Sequence, residues 1–182
     1  FDLLDDTGRQ AALIGELCRD LTHEYAPEAT IKAIQTAITY VKNRLPGQTD
    51  LNEVEVEGVE FPAVYKAYNQ ALRQRRLMDY DDQLGYAWQI LRRYPQILQE
   101  WRGRYPYLCV DEAQDTSQIQ HAIIRLLAGE QVQLFMVGDE DQSIYGFRAA
   151  CPQALHSFEN TYPGAKVLML EQNYRSTRQI VA

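Results

Sequence analysis

Three short apolar segments in the second half of the chain are each followed by a polar cluster, and this repetition constrains the fold more than any other feature of the sequence. The apolar segments are YLCV (107–110), VQLFMV (132–137) and VLML (167–170). Segments with the apolar spacing of a helix lie between them, at 118–127 and 152–162. Strands that alternate with helices predict a parallel sheet covered by helices.

The polar clusters follow the predicted strands directly, at the point where each strand ends. They are DEAQDT (111–116), GDEDQ (138–142) and EQNYRS (171–176). In open sheets of this class, ligands bind outside the carboxyl ends of the strands. The sequence therefore predicts a functional site formed by the three clusters.

Helical periodicity dominates the first part of the chain. Apolar residues recur three and four positions apart in four segments, at 13–21, 31–45, 61–72 and 84–101. Pro46 and Gly47 are expected to end the second helix, and Pro95 to interrupt the fourth. We therefore predict two domains within an α/β chain: an all-helical domain over residues 1–104 and part of a parallel-sheet domain over residues 105–182.

The composition is that of a globular protein, with 46% hydrophobic and 24% charged residues. No apolar run approaches the roughly 18 residues of a transmembrane helix, and the acidic first residues are unlike a secretory signal. Cys18, Cys109 and Cys151 are too scattered for a disulfide framework or a CxxC metal site. We expect reduced thiols in a cytoplasmic protein, with Cys109 buried in its strand. The net charge of −7 argues against a surface that binds nucleic acid or membrane throughout, but not against a local basic groove.

Two adjacent carboxylates, Asp111 and Glu112, stand at the end of the first predicted strand. A nucleoside triphosphatase uses such a pair to support the water shell of Mg²⁺ and to take a proton from the attacking water. The alternative is that both acids only favour the positive N-terminus of the following helix.

The second and third clusters carry groups that suit phosphate and nucleic acid. The side-chain amide of Gln142 can bind a phosphate oxygen. Tyr145 and Phe147 beside Arg148 are typical of platforms that stack unpaired bases, although either aromatic alone could belong to the core. Arg175 can neutralise a transferred phosphoryl group, or form only a surface ion pair.

These segments resemble a known family in their order and spacing. YLCVDEAQDTSQIQ, VGDEDQSIYGFRAA and LEQNYRST closely resemble motifs II, III and IV of the UvrD/Rep/PcrA-like superfamily 1 DNA helicases. MDYDDQL (78–84) resembles a further segment of that family, and the helical first part resembles its inserted 1B subdomain. The resemblance covers nearly the whole chain and implies that residues 105–182 are part of a RecA-like motor domain.

The resemblance assigns roles in a nucleotide site. Motif II is the Walker B element of the family, so Asp111 would support Mg²⁺ through its water shell and Glu112 would be the general base. Gln114 and Asp115 would link the nucleotide site to neighbouring motifs. Motif III would place Gln142 near the γ-phosphate of ATP.

The resemblance also implies contacts with adenine and with DNA. Motif IV would place Tyr174 against the adenine and Arg175 on the γ-phosphate, as an arginine finger. Tyr145, Phe147 and Arg148 would lie along single-stranded DNA. The family usually has Trp where Phe147 stands, and Phe keeps a π-face with less stacking area.

One element of the family is absent from the sequence. A P-loop of the form GxxxxGK[ST] holds the β- and γ-phosphates, but none of the 10 glycines is followed by lysine. We therefore expect an internal piece of a larger helicase of 3′-to-5′ polarity, which would couple Mg-ATP hydrolysis to movement on single-stranded DNA and to unwinding of duplex junctions. Its further partners would be the missing parts of the same polypeptide, the P-loop region and the second motor domain. The isolated chain is expected to be inactive.

Two other function classes remain open on the sequence alone. The absent P-loop fits a non-catalytic module that binds DNA or a partner protein and keeps a helicase-like fold. A nuclease built on paired acids is the third possibility, given Asp79, Asp81, Asp82 and Asp111. The spacing of these four acids does not predict a two-metal site, so the nuclease ranks last.

Overall fold

The computed structural model of the chain describes residues 1–129, 132–143, 146, 149–151 and 158–181. Within these residues the fold is mixed α/β: helices predominate, and the strands form two short parallel pairs. This confirms the predicted fold class. No helix of the described residues is long and apolar enough to cross a membrane.

The described elements follow one another in this order along the chain. Strand β1 is Asp2–Leu3, followed by helices α1 Thr7–Thr22, α2 Glu28–Lys42 and α3 Phe61–Gln74, strand β2 Leu77–Met78, helices α4 Tyr80–Arg93 and α5 Pro95–Arg104, strand β3 Tyr107–Val110, helix α6 Gln118–Ala128, strand β4 Gln133–Met136, and helices α7 Phe158–Thr161 and α8 Arg178–Val181. Short 3₁₀ turns cover Leu51–Glu53, Ala113–Asp115 and Glu140–Gln142.

The main hydrophobic core lies between α1, α2 and α3. The apolar stripes predicted from the sequence form this core, because residues three and four apart lie on one face of a helix. Its most deeply buried side chains are Ile14, Ile34, Ile38, Phe61 and Tyr68. Burying side chains of this size stabilises the fold by roughly 1.5–3 kcal/mol each, before the entropy of ordering them is counted.

Helix α2 ends earlier than its apolar stripe predicts. The stripe continues to Leu45, but the helix stops at Lys42 because Asn43 closes it. Both the backbone N–H and the side-chain amide of Asn43 donate to the carbonyl of Thr39, each at 3.0 Å. Arg44 N–H then donates a hydrogen bond to Val41 O at 3.3 Å, so the last turn is tighter than an α-helical turn and lies before Pro46.

The first part of the chain is not entirely helical, contrary to the prediction. Strand β1 pairs in parallel with β2, with Asp2 opposite Leu77 and Leu3 opposite Met78. The N–H of Leu4 extends the pairing by donating to Met78 O at 2.7 Å, and its side chain is buried. Strands of two residues are too short to produce a period that the sequence could reveal.

Helices α4 and α5 connect the first part of the chain to the second. Pro95 begins α5 after a break at Tyr94, as predicted, because proline suits the first turn of a helix but interrupts its interior. Both α4 and α5 pack against α6. The division into domains at residues 104 and 105 stays a prediction.

The second sheet is a parallel pair with α6 as its crossover. Strand β3 lies beside β4 with Tyr107 opposite Gln133 and Val110 opposite Met136. Helix α6 spans Gln118–Ala128, and both strands fall within the apolar segments that predicted them.

The third predicted strand, at residues 167–170, does not form. Among the described residues nothing pairs with this segment, and Leu168 and Leu170 are 79% and 89% exposed. A central strand needs a neighbour for its backbone groups and cover for both of its faces, and apolar content alone supplies neither. Of the helix expected over 152–162, residues 158–161 are helical and 152–157 lie outside the described residues.

One face of the β3–β4 pair is uncovered. Tyr107, Cys109 and Phe135 point to this face and are exposed, while Leu108 and Leu134 on the other face are half-buried. The expectation of a buried Cys109 was therefore wrong. The alternation of side chains along a strand places this thiol on the open face, opposite Phe135.

Candidate functional site

The ends of β3 and β4 meet at one edge of the sheet, as the sequence predicts. Val137 N–H donates to Val110 O at 2.8 Å, and Ala113 N–H donates to Val137 O at 2.9 Å. These two bonds continue the parallel pairing beyond the strands. Asp111 and Glu112, which follow β3, therefore lie beside the turn that follows β4.

Glu112 occupies a backbone conformation that is rare for its residue type. Its φ of 49° and ψ of 44° lie in the left-handed region, which costs a non-glycine residue about 1–2 kcal/mol. Its N–H bonds to Asp111 Oδ1 at 3.0 Å, and the next N–H is fixed on Val137. Backbone strain of this kind concentrates at functional sites.

A chain of hydrogen bonds joins the first two polar clusters. Gln114 Nε2 donates to Glu112 Oε2 at 2.7 Å, and Gln114 Oε1 accepts from Asp139 N–H at 3.1 Å. Gln142 Nε2 then donates to Asp139 Oδ2 at 2.6 Å. Four residues thus connect the end of β3 with the 3₁₀ turn after β4.

Gln114 is the buried residue at the centre of this series of hydrogen bonds. Its side chain is 2% exposed, whereas Glu112, Asp139 and Gln142 are exposed. Because Asp139 N–H can only donate, the Gln114 oxygen must face it, and the Gln114 amide nitrogen must face Glu112. Gln114 therefore holds one oxygen of the Glu112 carboxylate, and the other oxygen has no described hydrogen-bond partner.

Asp139 belongs to this series of hydrogen bonds, but the sequence patterns did not predict it as a site residue. Its position directly after Gly138 at a strand end is the only signal that could have found it. Asp115, which was expected to share the linking role of Gln114, donates its backbone N–H to Glu112 O at 2.9 Å, but its side chain forms no described hydrogen bond with these four residues. Its Oδ1 is buried without a hydrogen-bond partner among the described residues.

Asp111 suits a cation held through water. Both acids of the pair are exposed, and Asp111 uses only Oδ1 for the backbone N–H of Glu112. In the described part of the chain no three His, Cys, Asp or Glu side chains gather closely enough to hold a metal by themselves. Mg²⁺ often takes one carboxylate and fills its remaining positions with water and phosphate oxygens, so the donors present fit this ion.

The third cluster is not joined to the first two. Tyr174 is 85% exposed, and its hydroxyl donates to Gln172 Oε1 at 2.8 Å. The carboxamide oxygen of Asn173 accepts from the N–H groups of Arg175 and Ser176, both at 2.9 Å. No described hydrogen bond or ion pair links Tyr174 or Arg175 to the other two clusters, because the strand that should carry them to the sheet edge is unpaired.

Three predicted site residues, Tyr145, Phe147 and Arg148, lie outside the described residues. The segments on either side of them are attached to the turn after β3. Ser143 Oγ donates to Gln114 O at 3.3 Å, and Cys151 N–H donates to Thr116 O at 3.1 Å. The loop that contains the three residues therefore starts and ends beside Gln114 and Thr116.

His121 lies beneath the same turn, on the first turn of α6. Burial lowers the pKa of its imidazole, and a hydrogen bond to the backbone of Ala113 opposes this only in part. The imidazole is therefore neutral at pH 7. Sequence reasoning gave this residue no role, and a lone histidine in an amphipathic helix offers no signal for one.

Comparison with known protein families gives a match over most of the chain. A family model described as the UvrD/REP helicase N-terminal domain matches residues 1–163. The chain belongs to this family. The resemblance seen in the motifs is thereby confirmed.

Relatives in the UvrD/REP family match over the whole chain. The ATP-dependent DNA helicase PcrA of Staphylococcus epidermidis is 34% identical over 183 residues, which cover 100% of this chain and 25% of the relative. The protein of the same name from Staphylococcus aureus is 33% identical with the same coverage. The chain thus spans about a quarter of the length of these relatives.

Proposed function

We propose that this chain supplies motifs II, III and IV to an ATP-dependent DNA helicase. The observation that carries the proposal is the hydrogen-bonded chain Glu112–Gln114–Asp139–Gln142 at the carboxyl ends of two parallel strands. Family membership and the name of the PcrA relatives support it. The chain spans about a quarter of those relatives, and in this proposal hydrolysis and unwinding are activities of the complete polypeptide.

Glu112 is the general base of the proposed reaction. Gln114 binds its Oε2, so Oε1 is left to accept a proton from the water that attacks the γ-phosphate. The buried amide also prevents the carboxylate from rotating away. Orientation of a base in this way contributes to catalysis because the proton must travel along a short, aligned hydrogen bond.

Asp111 would hold Mg²⁺ through the water shell of the ion. When bound, the ion would supply positive charge to the β- and γ-phosphate oxygens. Asp111 leaves Oδ2 without a described protein partner, and this oxygen can accept hydrogen bonds from the waters of the ion. Tyr174 and Arg175 complete the proposed nucleotide site as the adenine contact and the arginine finger.

Gln142 connects nucleotide and DNA in this proposal. Its amide donates one of its two N–H groups to Asp139 Oδ2, and rotation of the amide toward a γ-phosphate oxygen would break this bond. Release of Asp139 would alter the loop that begins at Ser143. In the proposal this loop presents Tyr145, Phe147 and Arg148 to single-stranded DNA.

The absent P-loop determines what the isolated chain can do. Side chains at strand ends cannot replace the backbone amides and the lysine that hold the β- and γ-phosphates. We therefore expect the 182-residue chain alone neither to bind ATP in the micromolar range nor to unwind DNA. The P-loop region and the second motor domain would come from the rest of the polypeptide, which would move 3′ to 5′.

The deciding experiment measures Mg-ATP hydrolysis by the complete polypeptide, with and without single-stranded DNA. Glu112→Gln keeps the shape of the side chain but removes the base, and we expect turnover to fall about 10²–10⁴-fold. Glu57→Gln, at an exposed position in the helical part, is the matched control and should retain full activity.

The opposite result would favour the other function class. A wild-type polypeptide that binds single-stranded DNA but hydrolyses no ATP would identify a DNA-binding module with a helicase-like fold. Metal-dependent cleavage of plasmid DNA would instead favour the nuclease.

A further inference from the structure

The acids of MDYDDQL (78–84) form a buried polar cluster rather than an exposed site. Lys42 Nζ lies 2.6 Å from Asp79 Oδ2 and 2.7 Å from Asp82 Oδ1. The side chains of Lys42 and Asp79 are each 5% exposed, and that of Asp82 is 17% exposed. Buried ion pairs of this kind add little net stability compared with apolar packing, so their presence points to a requirement for defined geometry.

The cluster fixes the relative positions of four helices. Tyr68 of α3 donates its hydroxyl to Asp79 Oδ2 at 2.9 Å and accepts from Gln10 Nε2 of α1 at 3.0 Å. Asp79 and Asp82 also form the capping box that begins α4. Because every bond has a defined direction, a shift of α2 against α4 would unpair a buried charge, and a shift of α1 or α3 would break the hydrogen bonds of Tyr68.

Asp81 extends the cluster toward the end of α2. Its Oδ1 accepts from Asn43 Nδ2 at 2.7 Å, and its Oδ2 accepts from Thr39 Oγ1 at 2.9 Å. Asn43 is itself 5% exposed. The carboxylate of Asp81 thus determines the orientation of the residue that closes α2.

Asn43 reaches across to the helix that follows Asp111 and Glu112. Its backbone carbonyl accepts from Ile119 N–H at 3.1 Å, and the Ile119 side chain is 1% exposed. The first N–H groups of a helix have no partner within that helix, so this bond satisfies one that α6 cannot satisfy itself. It fixes the start of α6 to the end of α2.

We propose that Asp81 and Asn43 are positioning residues for Glu112, an inference that rests on the proposed function of that site. They hold the N-terminus of α6, and only four residues separate Ile119 from Gln114, the residue that orients Glu112. Thr116, between them, is also fixed by Cys151 N–H. A small shift of α6 therefore moves the Gln114 amide and misaligns the base, to which catalytic rates are sensitive.

The test compares Asp81→Ala with Asp81→Asn in the complete polypeptide. Alanine removes both acceptors, whereas asparagine can still accept from Asn43 and can donate to Thr39 Oγ1. We expect Asp81→Ala to lower kcat for ATP about tenfold with KM nearly unchanged, and to speed amide exchange at Ile119 about tenfold. Asp81→Asn should restore both values.

Two further variants complete the design. Glu16→Gln breaks the exposed ion pair between Glu16 and Arg75, and it should change neither kcat nor exchange in α6. If Asp81→Ala does not fold, Thr39→Ala removes one of the two bonds to Asp81, and faster exchange at Ile119 in this variant is the expected result.

The outcomes separate this inference from the proposed function. If Asp81→Ala speeds amide hydrogen exchange within α2 and α4 but leaves kcat and the exchange over 113–119 unchanged, the positioning role is wrong. The role is also wrong if Asp81→Ala impairs kcat and Asp81→Asn does not restore it. Absence of hydrolysis in the wild type would instead contradict the proposed function. In that case the exchange of Ile119 would still decide whether Asp81 and Asn43 hold α6 in place.

Discussion

The carboxylate of Glu112 lies 2.7 Å from the side-chain amide of Gln114, and the two residues differ sharply in exposure. Gln114 is buried and satisfied at both ends of its amide, whereas Glu112 faces solvent with one oxygen free. A buried residue thus fixes the orientation of an exposed one. This arrangement suits a base that must meet a water molecule at a defined angle.

Replacement of Gln114 by leucine tests that arrangement. Leucine leaves Asp139 N–H without its acceptor and Glu112 without its donor, but it occupies a similar volume. If the proposed function holds, we expect kcat for DNA-stimulated ATP hydrolysis to fall about 10–100-fold, because Glu112, the proposed base, is still present but no longer oriented. Steady-state kinetics on the complete polypeptide measure this change. Gln99→Leu, at an exposed position in α5, is the matched control; equal activity of the two variants would refute the role of Gln114.

Loss of the Lys42 ammonium should destabilise the helical part. Burial lowers the pKa of Lys42, but the charges of Asp79 and Asp82 and their hydrogen bonds raise it overall, so the group is charged at neutral pH. Lys42→Met leaves two buried carboxylates without a counterion, which costs about 3–5 kcal/mol of unfolding free energy. Urea denaturation followed by circular dichroism measures the loss.

The control for Lys42→Met is a lysine whose ion pair is exposed. Lys32 pairs with Glu28 on the surface of α2, where the side chains are 72% and 84% exposed. Lys32→Met should cost about 0–1 kcal/mol, since water screens such a pair. Similar losses of unfolding free energy for the two lysines would show that the buried ion pairs stabilise the fold no more than the exposed one.

Asp81 should make stability depend on pH. Burial raises the pKa of its carboxyl, and the hydrogen bonds from Asn43 and Thr39 lower it only in part. A raised pKa in the folded state means that stability is greatest below the unfolded value of about 3.9 and is lost as pH rises through the folded value. Asp81→Asn carries no titrating group, so it should gain stability relative to wild type as pH rises from 4 to about 7.

Urea midpoints at several pH values measure this effect. Asp50→Asn is a suitable control because Asp50 is exposed and caps only a short 3₁₀ turn. A difference between wild type and Asp81→Asn that stays constant over this pH range would contradict a raised pKa for the Asp81 carboxyl.

Sequence patterns located the strongly periodic elements. The β3 segment YLCV was predicted from its short apolar run and α6 from its helical spacing, and both appear where they were predicted. Residues 167–170 carry the same kind of signal and remain unpaired. Whether an apolar segment becomes a strand depends on a neighbouring edge, and this information lies outside the segment itself.

The candidate site, like the fold, was predicted only in part. Glu112 and Gln142 were predicted because their residue types suit phosphate chemistry at strand ends, and the structure connects them. The linking position of Asp139 and the bond from Ile119 to Asn43 could not be predicted. Both include a backbone N–H that tertiary packing brings to its acceptor, and backbone groups are the same in every residue.

The uncovered sheet face gives a last prediction, which concerns cysteine reactivity. Cys109 is exposed beside Phe135, whereas Cys18 is buried in the helical core, where burial raises the pKa of its thiol. In the 182-residue chain a maleimide should label Cys109 rapidly and Cys18 only on unfolding, because the thiolate is the reactive form and must be reached by the reagent.

Comparison with the complete polypeptide extends this prediction. Parallel sheets bury both faces, so the face that carries Cys109 and Phe135 should be covered by the rest of the protein. We expect labelling of Cys109 there to be at least about tenfold slower than in the isolated chain, as measured by mass spectrometry on variants that keep one cysteine at a time. Cys18 provides the internal reference, since its burial arises within the helical core. Equal labelling of Cys109 in both proteins would mean that this sheet face stays open in the complete protein.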